Sequence, residues 1–209
     1  MLVFDGVTAL DVVGPFEVLD RMPGASVTLV AKEPGLKRTH GGNLGISADV
    51  ALADMPRPDV VVVPGGIGEQ RVRADDDTLD WLREAHGHAA WTASVCTGAL
   101  ILGAAGLLEG RRATTYWLAL DHLTRFGATP VDDERVVIDG KVMTSAGVSA
   151  GIDLALELAA ELEGDLVAQR IQLAIEYDPD PPFDAGSPDT APEYLIELLR
   201  STSRFRDHA

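Results

Sequence analysis

Residues 89–110 read AAWTASVCTGALILGAAGLLEG, and this stretch decides the fold. Its first part, Ala89–Val95, is a continuous apolar run without clean alternation, which is typical of a strand buried on both faces of a sheet. The part after Cys96 is rich in small residues and leucine, and it predicts a helical stretch that is closed by Gly110. A buried strand that leads directly into a helix predicts a parallel α/β sheet, with Cys96 at its carboxyl edge.

Two further runs have the same character as Ala89–Val95. They are SVTLVA (Ser26–Ala31) and DVVVVP (Asp59–Pro64). Between the second of these and Ala89–Val95, a helix with an acidic cap is predicted over Asp75–His88. Strand–helix alternation with short connections predicts an α/β fold with a doubly wound, mostly parallel sheet sandwiched by helices, in a flavodoxin-like arrangement. No internal repeat or linker divides the sequence, so we expect a single domain over residues 1–209.

The second half of the chain adds a hairpin and several helices to this pattern. An Asp-Gly turn between two β-branched runs predicts a hairpin over Arg135–Ser145. Helices are predicted over Gly147–Gly164 and Asp165–Glu176, and a terminal helix is predicted from about Glu193. The proline content of residues 177–192 excludes regular structure there.

The opening segment, Met1–Phe4, predicts a strand that is short for the centre of a sheet, where about five or six residues are usual. A chain that has lost its first few residues and a start that has been assigned too late are both consistent with this length.

The charge balance excludes several classes of partner. The chain has 17 Lys and Arg against 33 Asp and Glu, a formal net charge of −16. A surface this acidic repels phosphate backbones and anionic lipid headgroups, so we expect no nucleic-acid or membrane partner and a neutral or cationic small molecule as ligand. No apolar run reaches the ~18 residues of a membrane-spanning helix, and no signal-peptide pattern is present. One cysteine allows no intramolecular disulfide, which fits a cytoplasmic protein.

Cys96 is the first candidate for chemistry, because it lies where a predicted strand meets a predicted helix. Small neighbours such as Ser94 and Gly98 ease the tight turn of a nucleophile elbow. The start of the following helix carries a partial positive charge, which favours the thiolate over the thiol. A buried structural cysteine is the alternative, since a lone cysteine most often has that role.

A base for this thiol is not evident among the five histidines. His86, His88 and His122 lie on predicted helices, His40 lies in a loop and His208 lies in the tail. A Cys–His–Asp hydrolase is therefore not supported, and a carboxylate is the remaining acid and base.

The motif FDGVTALDVVGPFEVL (4–19) supplies two such carboxylates, Asp11 and Glu17. Both follow the first strand, so they begin at the carboxyl edge, near Cys96 if the two strands are neighbours. Gly14-Pro15 predicts the start of a helix, with Glu17 in its first turns on the inward side. A carboxyl group in such a site has a raised pKa and can donate a proton near neutrality. Asp11 as a helix cap and Glu17 as a solvated side chain are the alternative.

The glycines of PGGIG (64–68) follow another strand and can turn backbone N–H groups toward a ligand, as an oxyanion-hole loop does. Gly65 and Gly66 are the residues concerned, although any turn between a strand and a helix can have this composition. The sequence has no dinucleotide-binding glycine motif and no P-loop lysine motif. One cysteine and no histidine pair at ligand spacing argue against a metal site.

Several of these motifs, in order along the chain, resemble the ThiJ/PfpI superfamily with its class-I glutamine-amidotransferase-like fold. Within that superfamily the sequence looks most like the isonitrile hydratases, from about Val3 to about Pro192. The stretches that carry the resemblance are FDGVTALDVVGPFEVL, VVVPGG, SVCTGALILGAAGLLEGRRATT, GVSAGIDLALELAAEL and IEYDPDPPFDAGSPDTAP.

The resemblance implies that Cys96 is the nucleophile, with Thr97 beside it and Asp11 as the acid and base. It also implies an isonitrile as the small-molecule substrate, no cofactor or metal, and a homodimer. Protease-like relatives have a histidine directly after the cysteine, and Thr97 stands there instead. Close relatives usually read ATTHW where this chain reads ATTYW (113–117), so Tyr116 is a candidate substrate-binding residue that can alter substrate preference or activity.

Two other functions fit the same residues. A glyoxalase- or deglycase-like enzyme would use Cys96 together with Glu17. A protein without enzymatic activity would bind a ligand or sense oxidation through a reactive Cys96.

Overall fold

Strands and helices alternate along the chain in a computed structural model that describes residues 1–206. The helices are α1 (Ala9–Leu19), α2 (Glu69–Val72), α3 (Asp76–His88), α4 (Gly98–Ala104), α5 (Ala150–Glu163), α6 (Asp165–Ala174) and α7 (Glu193–Thr202). The strands are β1 (Val30–Ala31), β2 (Gly35–Arg38), β3 (Gly45–Ala48), β4 (Val50–Ala51), β5 (Val60–Val63), β6 (Trp91–Val95), β7 (Arg112–Ala113), β8 (Thr129–Pro130), β9 (Val136–Asp139) and β10 (Val142–Ser145). Two 3₁₀ helices cover Leu52–Asp54 and Trp117–Phe126.

The central sheet has the strand order β5-β6-β10-β9. β6 pairs in parallel with both β5 and β10, and within this sheet only β9, the first strand of the hairpin with β10, runs antiparallel. The predicted hairpin over Arg135–Ser145 is therefore confirmed, but its turn consists of Gly140 and Lys141, because Asp139 still pairs with Val142 at the end of the strand. The prediction of an α/β fold with a mostly parallel sheet between helices is also confirmed.

The opening residues extend this sheet between β5 and β1. The N–H of Leu2 donates to the carbonyl of Val62 at 2.9 Å, and the N–H of Val3 donates to the carbonyl of Val30 at 2.8 Å. β1 continues the sheet by pairing in parallel with β4. The segment before α1 thus lies in the middle of the sheet, and α1 begins at the sheet's carboxyl edge.

Helices cover both faces of the sheet, and the strands bury side chains on both. Val61 and Val63 of β5 belong to one apolar cluster, together with Leu82 of α3 and Leu100 of α4. Val62 belongs to a second cluster, which includes residues of α1, α5 and α6. Burial on both faces explains why these strands are continuous apolar runs. In residues 1–206 no helix has the length and apolar character needed to cross a membrane.

Helix α1 begins at Ala9, well before Pro15, so the prediction that Gly14-Pro15 marks the helix start is wrong. Proline removes a hydrogen bond to the preceding turn and therefore usually stands at a helix start. Here α1 packs closely on α5: a Cβ on Gly14 would lie 3.0 Å from Cγ1 of Ile152, and one on Gly151 would lie 3.1 Å from Cγ of Pro15. This tertiary packing stabilises a helix that the local sequence would interrupt.

Candidate active site

Cys96 forms a strained turn between β6 and α4. Its φ of 56° lies in the left-handed region, which is uncommon for a residue with a side chain and is often found at functional sites. Hydrogen bonds hold the turn on both sides. The N–H of Cys96 donates to the carbonyl of Ala146 at 3.2 Å, and Oγ1 of Thr115 donates to the carbonyl of Cys96 at 2.6 Å. Strand, cysteine and helix thus have the arrangement of a nucleophile elbow.

The thiol of Cys96 is buried, and only 5% of the residue is exposed. Burial raises the pKa of this thiol to about 12, and the charge of Asp11 is the second cause. The backbone N–H groups of Thr97 and Val148 bind the sulfur and act in the opposite direction. The sequence-based expectation that the start of α4 would favour the thiolate is not met, because desolvation of the sulfur outweighs these donors.

Asp11 lies in the first turn of α1 and is fully buried. Its Oδ2 accepts a 2.9 Å hydrogen bond from the N–H of Gly65, whereas Oδ1 has no well-formed hydrogen bond to any of residues 1–206. Burial raises the pKa of Asp11 to about 7, and the interactions with Gly65 and Cys96 lower it only in part. A carboxyl group that titrates near neutrality can both accept and donate a proton at physiological pH.

The carboxyl group of Asp11 and the thiol of Cys96 lie close enough for each to shift the pKa of the other. This interaction lowers the pKa of Asp11 and raises the pKa of Cys96. Because two negative charges repel each other in a buried site, the pair keeps at least one proton well above neutral pH. The ionisation of one residue therefore depends on that of the other.

The turn after β5 consists of Gly65 and Gly66, and both of its amide groups are in use. The N–H of Gly65 binds Asp11, and the N–H of Gly66 donates to Oγ1 of Thr97 at 3.0 Å. A Cβ on Gly65 would lie 2.5 Å from the backbone N and from Oγ1 of Thr97, so the close approach needs glycine. The sequence predicted that these two amide groups turn toward a ligand. In the structure they instead orient the side chains of Asp11 and Thr97.

Tyr116 is partly buried beside the cysteine turn. Burial raises the pKa of its hydroxyl group, and the neighbouring Cys96 is the second cause. Its ring packs on Gly147, where a Cβ would lie 2.7 Å from Cδ2 of the tyrosine. Trp117 meets the same ring edge-on, with 6.1 Å between the ring centroids. The structure thus brings Tyr116 close to the thiol, together with Asp11 and Thr97.

Glu17 lies elsewhere. Its side chain is 51% exposed and forms an ion pair with Arg21 at 2.6 Å on the same helix. The expectation that Glu17 faces inward is therefore wrong. It followed from the wrongly predicted helix start, because in a helix that begins at Ala9 the buried face includes Asp11 and Val18. The structure does not bring Glu17 together with Cys96.

The histidines that the structure describes make other contacts. The side chain of His86 binds a threonine hydroxyl group at 2.9 Å, and the side chain of His122 binds a backbone carbonyl at 2.9 Å. His40 and His88 are exposed, and His208 lies outside the described residues. Within residues 1–206 no histidine is among the groups that influence the thiol at the elbow, and no cluster of three or more His, Cys, Asp or Glu could hold a metal ion.

Two contributors to the site were missed by the sequence analysis, namely Val148 and Thr115. Val148 follows β10 and has a φ of 44°, and its backbone N–H lowers the pKa of the Cys96 thiol. A signal was available, because the loop after β10 lies at the same sheet edge as Cys96. The role of Thr115, which binds the Cys96 carbonyl, has no local signal.

Fold and site together define a class of protein: an α/β sandwich in which a cysteine at a nucleophile elbow is paired with a buried carboxyl group from the first helix. The family model described as the DJ-1/PfpI family matches residues 1–161. The chain belongs to the DJ-1/PfpI family, as the resemblance of its motifs implied.

Two relatives and one solved structure support this placement. An isonitrile hydratase of Pseudomonas putida is 47% identical over 199 residues, which cover 95% of this chain and 86% of that protein. A deglycase of Pyrococcus horikoshii is 35% identical over 126 residues, which cover 58% of this chain and 74% of the relative. The crystal structure of a ThiJ/PfpI family protein from Pseudomonas syringae superposes with a TM-score of 0.93 at 41% identity, and covers 99% of this chain and 87% of that one.

Proposed function

We propose that this protein is an isonitrile hydratase, a lyase that adds water to the carbon of R–N≡C to give an N-substituted formamide. The observation that carries the proposal is the buried pair of Asp11 and Cys96 at the elbow. The 47% identity to the isonitrile hydratase of Pseudomonas putida over 95% of the chain supports the choice of substrate class.

The first step that we propose forms a covalent intermediate. The Asp11 carboxylate accepts the proton of the Cys96 thiol and delivers it to the isonitrile carbon, which carries a lone pair. The sulfur attacks the same carbon as it is protonated, so an S–C bond and a C–H bond form. The product is the thioimidate R–N=CH–S–Cys96, and Asp11 is again a carboxylate.

The second step hydrolyses the thioimidate. Asp11 takes a proton from water, the hydroxide adds to the carbon, and the proton passes to the nitrogen. Breaking of the C–S bond then releases R–NH–CHO, and the hydroxyl proton returns to the sulfur through Asp11. The pKa of Asp11 near 7 suits a group that accepts and donates a proton in each step.

The surrounding groups have supporting roles in this scheme. Thr97 guides the water through its hydroxyl group, and the N–H groups of Thr97 and Val148 stabilise charge on the sulfur. Gly65 and Gly66 orient the reacting side chains, and Tyr116 lines the approach to the thiol. We further propose that the protein acts in the cytoplasm as a homodimer and that the reaction needs no cofactor.

The decisive experiment follows formation of N-cyclohexylformamide from cyclohexyl isocyanide by the purified protein. We expect turnover in the wild type, none in Cys96→Ala, and a loss of at least about 10²-fold in Asp11→Asn. Asp20→Asn is the matched control, because Asp20 is an exposed carboxylate at the end of the same helix, and it should leave the rate unchanged. Hydration that survives in Cys96→Ala would reject the scheme.

The deglycase relative makes a glyoxalase- or deglycase-like activity the second candidate. It predicts methylglyoxal turnover that depends on Glu17 more than on Asp11. The exposure of Glu17 and its ion pair with Arg21 do not support that dependence. Methylglyoxal turnover without isonitrile turnover would favour this candidate. Rapid peroxide oxidation of Cys96 without turnover of either substrate would favour a sensor.

A further inference from the structure

The segment that follows α7 contacts the Gly65–Gly66 turn through Arg204. Nη2 of Arg204 donates to the carbonyl of Gly66 at 3.1 Å, and Nη1 donates to the carbonyl of Ile67 at 3.4 Å. The contact with Gly66 joins positions 138 residues apart in the chain. A single guanidinium group therefore binds the turn whose amide groups orient the proposed acid/base and the threonine beside the cysteine.

A buried carboxylate gives Arg204 a second partner on the same loop. Glu69 at the start of α2 is fully buried, and it is paired with Arg73, directly after α2, and with Nη1 of Arg204 at 3.0 Å. A buried carboxylate is tolerated only when opposite charge and hydrogen bonds compensate its desolvation. The planar fork of arginine can serve the carboxylate and the two carbonyls at the same time.

The residue next to Arg204 anchors the segment. Phe205 packs against the apolar cluster beneath α3 and α4, and its carbonyl lies 2.9 Å from Nε2 of His122. The rings of these two residues meet edge-on at 5.3 Å, and the guanidinium carbon of Arg204 lies 4.4 Å from the centre of the Phe205 ring. The position of Arg204 is therefore fixed from the core side as well as from the loop.

The turn itself depends on such external contacts. Gly66 has a φ of 134°, and a Cβ there would lie 2.3 Å from the carbonyl oxygen of Gly6, so neither glycine of the turn can be replaced by a residue with an anchoring side chain. Glycine has the largest conformational freedom of all residues, and contacts from other segments must remove it. Thr8 does so at the carbonyl of Gly65, with a 2.9 Å bond, and Arg204 does so at the carbonyl of Gly66.

We propose that Arg204 is a positioning residue for catalysis: by holding the carbonyls of Gly66 and Ile67, it keeps the amide groups of the Gly65–Gly66 turn directed at Asp11 and Thr97. The C-terminal segment thereby sets the geometry of a site to which it contributes no reacting group. The catalytic part of this inference rests on the proposed function.

The test compares Arg204→Ala and Arg204→Lys with the control Arg206→Ala. Arg206 belongs to the same segment and is exposed, and its side chain donates to the carbonyl of Ser201 at 2.7 Å, away from the Gly65–Gly66 turn. We expect Arg204→Ala to lower kcat for cyclohexyl isocyanide about 10- to 100-fold with little change in KM. Arg204→Lys should recover the melting temperature, because it restores a positive charge beside Glu69. It should not recover kcat, because an ammonium group lacks the planar donor fork of a guanidinium group. Arg206→Ala should match the wild type.

A second measurement does not depend on activity. Amide hydrogen exchange of Gly65 and Gly66, followed by NMR, should become at least about tenfold faster in both Arg204 variants and stay unchanged in Arg206→Ala. Loss of this protection in a protein without isonitrile turnover would support the role of Arg204 and reject the hydratase proposal instead. Wild-type kcat and protection in Arg204→Ala, or full recovery of kcat in Arg204→Lys, would overturn the inference. If Arg204→Ala does not fold, Arg204→Lys decides the question.

Discussion

The amide N–H of Gly65 and the carboxyl group of Asp11 are joined by a 2.9 Å hydrogen bond between positions 54 residues apart in the chain. The bond occupies Oδ2 and leaves Oδ1, which is buried without a well-formed hydrogen bond within residues 1–206, as the free oxygen of the carboxyl group. An unpaired buried oxygen is costly, and such groups persist where a reaction uses them. The arrangement leaves a proton-accepting atom ready beside the thiol of Cys96.

The rate of the proposed reaction should depend on the ionisation of Asp11. Burial raises the pKa of this carboxyl group to about 7, and only the carboxylate can accept the thiol proton. We expect kcat/KM to fall about tenfold per pH unit below pH 7 and to level off above it. A profile measured from pH 5.5 to 8.5 tests this. A rate that is independent of pH over that range would show that another group controls proton transfer.

The same carboxyl group should make folding stability depend on pH. Its pKa in the folded state, about 7, lies above the ordinary value of 3.8, so the folded protein binds the proton more tightly and loses stability as pH rises toward 7. Asp11→Asn removes this titration and can keep the bond to Gly65. We expect its free energy of unfolding relative to the wild type to increase by about 2 kcal/mol between pH 5.5 and 8.5. Urea titrations at both pH values measure it, and an equal difference at both would contradict the buried titration.

The hydroxyl group of Thr97 should matter to stability as well as to rate. It accepts the 3.0 Å hydrogen bond from Gly66, and the residue is 2% exposed, so Thr97→Val leaves a buried N–H unpaired. We expect a loss of about 1–3 kcal/mol in the free energy of unfolding and a slower reaction. Thr97→Ser retains the acceptor and serves as the control in urea unfolding. Equal stability of the valine and serine variants would argue against this bond.

Adding one methyl group at Gly65 should disrupt the site. A Cβ there would lie 2.5 Å from the backbone N of Thr97, so Gly65→Ala forces either the turn or the start of α4 to move. We expect a loss of about 1–3 kcal/mol in stability together with most of the activity. Gly87→Ala is the control: Gly87 lies in α3 with open space around its Cα, and the change should stabilise the protein by about 0.5 kcal/mol. Unchanged stability and activity in Gly65→Ala would mean that the turn does not pack closely against Thr97.

Tyr116 should act on substrate binding more than on chemistry. Its ring is partly buried beside Cys96 and contacts Gly147, so Tyr116→Ala removes apolar surface from the approach to the thiol. We expect KM for cyclohexyl isocyanide to rise about tenfold, equivalent to about 1.4 kcal/mol, with kcat little changed. Tyr116→Phe, which keeps the ring, should behave like the wild type. A fall in kcat at constant KM would assign Tyr116 to the chemical step instead.

The sheet and the position of the cysteine could be predicted from the sequence. The runs Asp59–Pro64 and Ala89–Val95 are apolar throughout because both faces of those strands are covered, and the structure has β5 and β6 there. Cys96 lies between a strand pattern and a small-residue helix pattern, and that local transition is sufficient to predict its place at the sheet edge. Each of these patterns spans only a few consecutive residues, so it can be recognised without knowledge of the tertiary structure.

The face of α1 could not be predicted in the same way. Proline at position 15 indicated a late helix start, whereas the helix begins at Ala9 and packs closely on α5 at Gly14 and Gly151. That start places Asp11, and not Glu17, beside the cysteine. The sequence proposed both carboxylates, and tertiary packing decided between them.

The protonation of the site and the role of the C-terminal segment were also decided by tertiary structure. The start of a helix favours a thiolate, but the pKa of Cys96 is raised because the folded chain removes its sulfur from water, and the amount of water removed depends on every segment packed around it. The contact between Arg204 and Gly66, which are 138 positions apart, also depends on the folding of distant segments together. The sequence by itself determined the buried strands β5 and β6, the hairpin and the cysteine at the end of β6, since these follow from local patterns. The convergence and desolvation of those residues depend on contacts between distant segments, which exist only in the folded chain.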